Sequence, residues 1–562
     1  MTSVVASPPS EVPPGDPGDR SRAVPPARWR GGRGGHRLPR LLVLGAVVAS
    51  VAVGLPLVFL VVDAAQVGWG TLGPLLFRRL TAQLLWDSVS LTIVVTFLCA
   101  VVGTLTAWFI ERTALPGRRF WAVLVVIPLG IPDFVVSFGW RAIFPSFGGF
   151  WAAVLVMTVA VYPLVYLPVA ANLRSADPAQ EEVARSLGLG RLRTFWRVTV
   201  GQARLAILGG SVLVALVVLA EFGAFEILGF RTLTTEIYSE LQNGYNSPAA
   251  CALSVLLVVL GIFVLLGEGA ARGGGRGARL GAGVARQLRP VRLGRATPAA
   301  LGGVGLLVAV SLGVPVAAVI YLMVKGGNST LPPASLLGAA GTTFSYAVGA
   351  GALATVAALP IALLSIRHPR REVRLLERFD MLILGVPGLV IALAFTYVTE
   401  HFLDGHLYQT PTLLIFTYAV MFFPLAVVSV RAAVARSPVG LEEVGHSLGV
   451  PRRSVFWRVT LPLIAPGLAA AFCLVFLESA TELTATLVLI PTGAQTLATQ
   501  FWQFQTNLSY SQAAPYAGVI MLIAAVPSYV LGRWFDRLPA RAGPAVAPPP
   551  ASGHAPGTMV TL

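Results

Sequence analysis

Two features of this sequence offer chemistry. Residues 181–199 read EEVARSLGLGRLRTFWRVT and residues 442–460 read EEVGHSLGVPRRSVFWRVT. A paired glutamate, a Ser-Leu-Gly and an FWRVT therefore recur at matching spacing about 260 residues apart, far beyond chance. What such a segment offers is adhesion: aromatic anchors beside charges, which a soluble partner can grip. The second feature lies inside apolar stretches, where Glu221, Glu482 and Asp133 stand among aliphatic residues. A carboxylate within a membrane is costly and is a functional candidate by default. Two glutamates facing a common axis would favour a cation and oppose a free anion. The alternative is that Glu221 and Glu482 lie near the outer interface and cap or pair neighbouring helices, with Arg231 set against Glu226.

Other chemistries find no residues to carry them. Cys99, Cys251 and Cys473 each sit alone in an apolar segment, and the six histidines are scattered, so neither a disulfide framework nor a zinc or iron cluster is indicated. A P-loop needs a lysine after its glycines, and the only lysine is Lys325, in a VKGG expected on the outer side. The chain is expected to bind no cofactor and no nucleotide itself. The net charge of +16 suggests nucleic acid at first, but no basic stretch is interleaved with the aromatics such a surface uses, so no nucleic-acid partner is expected.

The elements that must position these residues are membrane helices. The chain is 55% hydrophobic and 12% charged, with a mean hydropathy of +0.76, more apolar surface than a water-soluble core can hide. Apolar stretches of about 20 residues, the length that crosses a hydrocarbon core, recur throughout. We read about twelve: 41–63, 86–110, 120–143, 149–171, 205–229 and 249–267, then 298–324, 341–366, 379–403, 411–433, 464–490 and 513–532. Strand alternation of the barrel kind is absent, so an all-α polytopic fold is expected. Gly130, Pro132, Gly385 and Pro387 suggest kinks or close packing.

The repeat organises these spans. The two glutamate loops each fall between the fourth and fifth span of a six-span half, which makes the halves parallel repeats. IPLGIPDFVVSFGW at 127–140 resembles LILGVPGLVIALAF at 382–395, and Glu221 falls where Glu482 falls. The expected organisation is a disordered basic arm (1–40), a first half (41–267), a Gly, Ala and Arg-rich linker (268–297), a second half (298–533) and a disordered tail (534–562). The apolar run after the arm is too long for a signal peptide and lacks a cleavage site, so it reads as a retained first helix. With the N-terminus cytoplasmic, all of the 41 basic residues except Arg78, Arg79, Arg141, Arg231 and Lys325 fall on the cytoplasmic side, which satisfies the positive-inside rule. Both termini are then cytoplasmic.

Each glutamate pair suits a helix N-terminus, and Gly188 or Gly449 suits the stop that follows. A second short segment then carries Phe195 and Trp196, or Phe456 and Trp457. The plainer alternative lays these loops on the lipid headgroups. The pattern Glu182, Ala184, Gly188 and Val198, and more completely Glu443, Gly445, Gly449, Val459, Leu461 and Pro462, resembles the EAA loop of binding-protein-dependent ABC importer permeases. That consensus is EAA, three residues, G, nine residues, I, one residue, LP. The first copy departs from it with Val183 and with Val200-Gly201, the second with Val444 and Gly445.

The resemblance implies the type I permease fold and a coupling role for Glu181, Glu182, Ala184, Gly188, Glu442, Glu443, Gly445 and Gly449, each loop seated in a groove of an ATPase subunit. It also implies two copies of that ATPase, which would bind ATP and Mg, an extracytoplasmic solute-binding protein, and a place in the bacterial plasma membrane. Alternating access would follow, with a translocation path for which Glu221, Glu482 and Asp133 are the candidates. Among such permeases, the segments 221–238 and 482–502 look most like those of ferric-iron importers, and thiamine and phosphonate permeases share much of the organisation. A twelve-helix secondary transporter is the alternative from another class, although ERTALPGRR at 111–119 lacks the Gly, Asp and Arg signature of that group.

Overall fold

The computed structural model describes residues 40–175, 179–242, 247–272, 291–326, 333–403 and 405–537. Most of the expected arm, of the linker and of the tail lies outside the described residues. The described residues are helical, without strands; one isolated bridge joins Thr113 to Val291. Eight helices are long and apolar enough to cross a membrane, or up to eleven when each of three bent pairs counts as one span. The remaining expected stretch, 513–532, lies within the 28-residue helix Tyr510–Arg537. The fold is an all-α polytopic one.

The bent pairs replace three expected straight spans. Arg118–Gly130 meets Asp133–Ile143 at 94°, and Arg371–Gly385 meets Gly388–Phe402 at 105°. The cause is local and repeated. A proline disfavours helical backbone in the residue before it, and Ile131 before Pro132 (ψ 122°) and Val386 before Pro387 (ψ 114°) are both extended. The glycines and prolines at these sites thus turn the chain through about a right angle. A milder bend of 56° separates Pro411–Met421 from Phe423–Arg436.

Packing inside each half depends on small residues. A Cβ on Gly103 would lie 2.8 Å from Val165 Cβ, and one on Gly210 would lie 2.7 Å from Val165 Cα. Helices Arg79–Arg112 and Val200–Ala220 therefore both press against the backbone of Pro163–Ser175, the close approach that small residues permit between membrane helices. Gly210→Val puts two further methyl groups into occupied space. We expect it to destabilise the first half by about 1–3 kcal/mol, read as a lower thermal midpoint of the detergent-solubilised protein, with Gly210→Ala less affected.

The first helix of each half packs on the other half. Gly54 of Arg40–Val67 sits where a Cβ would meet Phe379 Cζ at 2.6 Å, and Ser50 Oγ donates to Asp380 Oδ2 at 3.1 Å. Reciprocally, Pro315 of the second half fills the space beside Gly139, at 2.8 Å from a Cβ built there. Rings continue the seam: Phe134 and Phe138 stand 5.3 Å and 5.1 Å from Phe501, and Phe222 stands 5.4 Å from Trp502. The two repeats are therefore interlocked rather than merely joined end to end.

Both expected fifth spans, 205–229 and 464–490, differ from the helices observed. Each helix starts earlier, running without a break over Phe195–Ala220 and Arg452–Thr481, and each ends at a glutamate. Glu221 (ψ 135°) and Glu482 (ψ 130°) are extended, and short helices Gly223–Leu228 and Thr484–Leu489 resume beyond them.

Candidate functional site

The glutamate loops fold alike. A short helix, Ala179–Ser186 or Val439–Ser447, carries the acidic pair and stops at a glycine in the left-handed region, Gly188 (φ 82°) or Gly449 (φ 75°). The hydrogen bonds define a Schellman stop in both copies. Leu189 N–H reaches Ala184 O at 3.0 Å and Gly188 N–H reaches Arg185 O at 3.0 Å; Val450 to Gly445 at 3.1 Å and Gly449 to His446 at 3.0 Å repeat the pattern. Only glycine takes this backbone readily, which is why it stands at both stops.

The chain beyond the stop is not a separate short helix. FWRVT forms a π turn in both copies, with Val200 N–H bonded to Phe195 O and Leu461 N–H bonded to Phe456 O. Each loop is thereby fused into the long fifth helix. Single π turns inside α-helices are frequent at functional sites.

Each glutamate pair is divided between two faces. Glu182 and Glu443 are exposed. Leu187 at 78% and Leu448 at 76% accompany them, with Val183, Val444, Trp196 and Trp457 also exposed. Glu181 and Glu442 turn inward: Glu181 accepts from Thr199 Oγ1 at 3.0 Å and faces Arg112 at 3.6 Å, while Glu442 accepts from Thr460 Oγ1 at 3.1 Å and from Arg367 Nη2 at 2.6 Å. Ala184 is buried, and at Gly445 an added Cβ would stand 3.0 Å from Val455 Cγ2, so valine closes the space that the missing methyl leaves. The aromatics divide too. Phe195 is buried against Trp108 at 5.4 Å, and Phe456 is half-buried, so the tryptophans are the outward anchors.

At the helix breaks the two halves meet. Glu221 Oε1 accepts the Ala224 N–H at 2.7 Å. Glu482 accepts the N–H groups of Ala485 and Thr486, each at 3.1 Å, and the hydroxyls of Thr484 and Thr486. Both glutamates therefore cap the short helix that follows. Gly223 lies beside Phe134 and Leu483, 2.9 Å and 3.0 Å from a Cβ built on it, which brings the break of one half against the break of the other. Arg231 pairs with Glu236 at 2.7 Å and also lies within Coulombic range of Glu226.

Asp133 opens the helix Asp133–Ile143 just after the right-angle bend. It lies within Coulombic range of Glu221 and Glu478, and Glu221 within that of Glu482. Four carboxylates from both halves thus gather at the breaks. Among the described residues no three of them, with or without His or Cys, converge closely enough to hold a metal ion together. The arrangement is a gathering of carboxyl groups, not a chelating site. Glu478 went unnoticed in the sequence, although a second glutamate one turn before Glu482 in FLESATELTA was its signal. In the sequence Arg112 and Arg367 read only as basic residues of the cytoplasmic side.

Interlocked repeats of membrane-length helices, each with a loop fused to a broken fifth helix, define a polytopic permease built as two halves in one chain. The chain matches the family described as "Binding-protein-dependent transport system inner membrane component" over residues 101–268 and 353–542, once per half, and it belongs to that family, the membrane permease subunits of ABC importers. It is 35% identical over 504 residues to the Fe(3+)-transport system permease protein FbpB 2 of Haemophilus influenzae, covering 89% of this chain and 99% of the relative. The molybdenum transport system permease protein ModB of Mycobacterium tuberculosis is 32% identical over 259 residues, 42% of this chain but 94% of that protein. The sulfate transport system permease protein CysW of Escherichia coli is 25% identical over 248 residues, 40% of this chain and 84% of that protein. These two relatives are half-length proteins beside the fused chain.

Proposed function

We propose that the chain is the translocating subunit of an ATP-driven importer of ferric iron. The match that spans both halves of an Fe(3+)-transport permease carries this reading. The carboxyl groups gathered from both halves support it, because acidic side chains along a path suit a cation better than the sulfate that one relative is named for. Two ATPase subunits, which bind ATP and Mg, seat the outward faces of the two loops; a binding protein delivers the solute from outside. The termini and the loops face the cytoplasm of a bacterium, whose plasma membrane holds the chain. The basic arm, the linker and the C-terminal tail flank and join the two halves.

The lever for this coupling is the fifth helix. Phe195–Ala220 has 26 residues and spans about 39 Å at 1.5 Å per residue, from the loop at one end to Glu221 at the other. When ATP draws the ATPase subunits together, the loops move and the breaks move with them, opening the path outward; hydrolysis reverses it. ATP acts only through its different affinity for the two states.

Proteoliposomes carrying the chain with its ATPase and binding protein are expected to accumulate radioactive iron(III) when ATP is enclosed and not when a non-hydrolysable analogue replaces it. Accumulation of molybdate or sulfate in place of iron would replace the cation reading with an anion one.

A further inference from the structure

The inward glutamates sit at a junction that coupling to an ATPase alone does not explain. Glu181 is buried on the loop helix between Thr199, the last residue of the π turn, and Arg112, the last residue of Arg79–Arg112. Glu442 sits likewise between Thr460, the last residue of the second π turn, and Arg367, the last residue of Pro333–Arg367. Arg367 also donates to Ser437 O at 3.3 Å, holding the chain just before the loop helix. Three elements meet at one carboxylate, and the meeting recurs in both halves with the same residue types.

We propose that Arg112, Glu181 and Thr199, and in the second half Arg367, Glu442 and Thr460, are positioning residues that form two clasps. They fasten each loop helix to the fifth helix, so that displacement at the outward glutamate is carried to the break at Glu221 or Glu482. The proposal rests on the reading that the loops seat an ATPase.

A loop helix of eight or nine residues is too short to keep its place unaided. Beyond its glycine stop it is joined to the long helix by only a few residues, a link that a push from outside would flex. The clasp closes that link on its other side. A carboxylate held there by an arginine and a hydroxyl cannot leave without stranding the buried charge of its partner, so the two helices move together. The π turn places the threonine: with an extra residue in the turn, Thr199 and Thr460 come onto the side that faces the loop helix. The second clasp is the tighter, with 2.6 Å between Arg367 and Glu442 against 3.6 Å between Arg112 and Glu181.

Valine has the shape of threonine without its hydroxyl, so Thr199→Val with Thr460→Val opens both clasps with little change in packing. In proteoliposomes with the ATPase and the iron-loaded binding protein, the doubly substituted chain is expected to retain the ATPase and to hydrolyse ATP within about twofold of the wild-type rate. Iron taken up per ATP is expected to fall about tenfold, a coupling effect of the size such networks carry. Thr199→Ser with Thr460→Ser is expected to restore the ratio, and Thr460→Val alone to lower it more than Thr199→Val alone. Should the valine chain not insert, the alanine pair serves the same measurement. An unchanged ratio in the valine or alanine pair would overturn the clasps, as would a loss of ATPase binding that the serine pair does not restore. Failure of the wild-type chain to retain the ATPase would instead overturn the docking reading, and the clasps with it.

Discussion

Replacing Glu182 and Glu443 together with alanine is expected to reduce ATP-driven uptake by about thirtyfold or more, while the chain reaches the membrane in wild-type amount. The second half of that statement follows from exposure. Both side chains point away from the protein, beside Leu187 and Leu448, and surface substitutions clear of caps and cores change stability by only about 0.5 kcal/mol. The first half follows from what such a face does once covered. A charge at the centre of an apolar patch, truncated opposite its partner, costs about 2–5 kcal/mol, and 2 kcal/mol is a factor of about thirty in affinity. Either substitution alone is expected to do less, because two loops on one chain hold their partners jointly and the remaining loop keeps the ATPase near. Uptake and membrane-bound ATPase are measured on the same vesicles. Wild-type uptake in the double variant would remove the outward glutamates from the coupling surface.

The second large effect concerns the breaks. Glu221 and Glu482 both accept backbone N–H groups from the helices that follow them, so capping and charge must be separated. Glutamine carries no charge and keeps the cap in full at Glu221, where one oxygen accepts one N–H group; at Glu482, where different oxygens hold Ala485 and Thr486, it keeps one of the two bonds. Glu221→Gln with Glu482→Gln is therefore expected to lower the thermal midpoint less than the alanine pair does and to lower iron uptake about tenfold, the effect of losing about 1.4 kcal/mol of favourable interaction along the path. The alanine pair loses the caps as well, about 0.5–2 kcal/mol at each site, and is expected to lower stability and uptake together. Reversal of both charges to lysine is expected to abolish cation uptake. If the glutamine pair transports iron at the wild-type rate, the two glutamates are helix caps and nothing more.

The two sites were legible in the sequence to different degrees, for physical reasons. The loops are governed by local rules: an acidic helix start, a glycine that alone takes a left-handed stop, and an FWRVT at fixed distance. Their repetition then gave the two-half organisation that the family match also shows. Hydropathy, by contrast, is blind to direction. It reads 205–229 as one span because Glu221 lies among aliphatic residues, although Glu-Phe-Gly-Ala and Glu-Leu-Thr-Ala each place an acceptor three residues before the N–H it caps. The right-angle bends were legible only as kinks, since Ile131 before Pro132 and Val386 before Pro387 fix an extended residue but not what the next helix packs on.

Long-range partners were not legible at all. That Arg112 and Arg367 turn inward to the loops, or that Ser50 reaches Asp380 across the halves, depends on packing that no local window contains. The expected linker spans 268–297, whereas the last helix of the first half runs to Arg272 and Val291 N–H already bonds to Arg112 O at 2.9 Å. The expected tail from 534 likewise begins inside the helix that ends at Arg537.

The halves are repeats that have diverged at the path. Asp133 of the first half corresponds to Gly388 of the second, where an added Cβ would lie 2.4 Å from Met421 Cε and 3.3 Å from Glu482 Oε1. The second half instead carries Glu478, and it sets threonine hydroxyls on the Glu482 carboxyl group, whereas Thr234 donates to the backbone carbonyl of Glu221. Carboxyl groups come from both halves but from different positions, an asymmetry that a fused chain is free to develop.

The claim that holds all of this together is that one chain supplies both halves of the permease and both seats for the ATPase. The mass of the intact complex, extracted in mild detergent and measured under native conditions, tests it most directly. One copy of this chain with two ATPase subunits is the predicted composition. Two copies of the chain with two ATPase subunits, or a chain that carries only one, would contradict it.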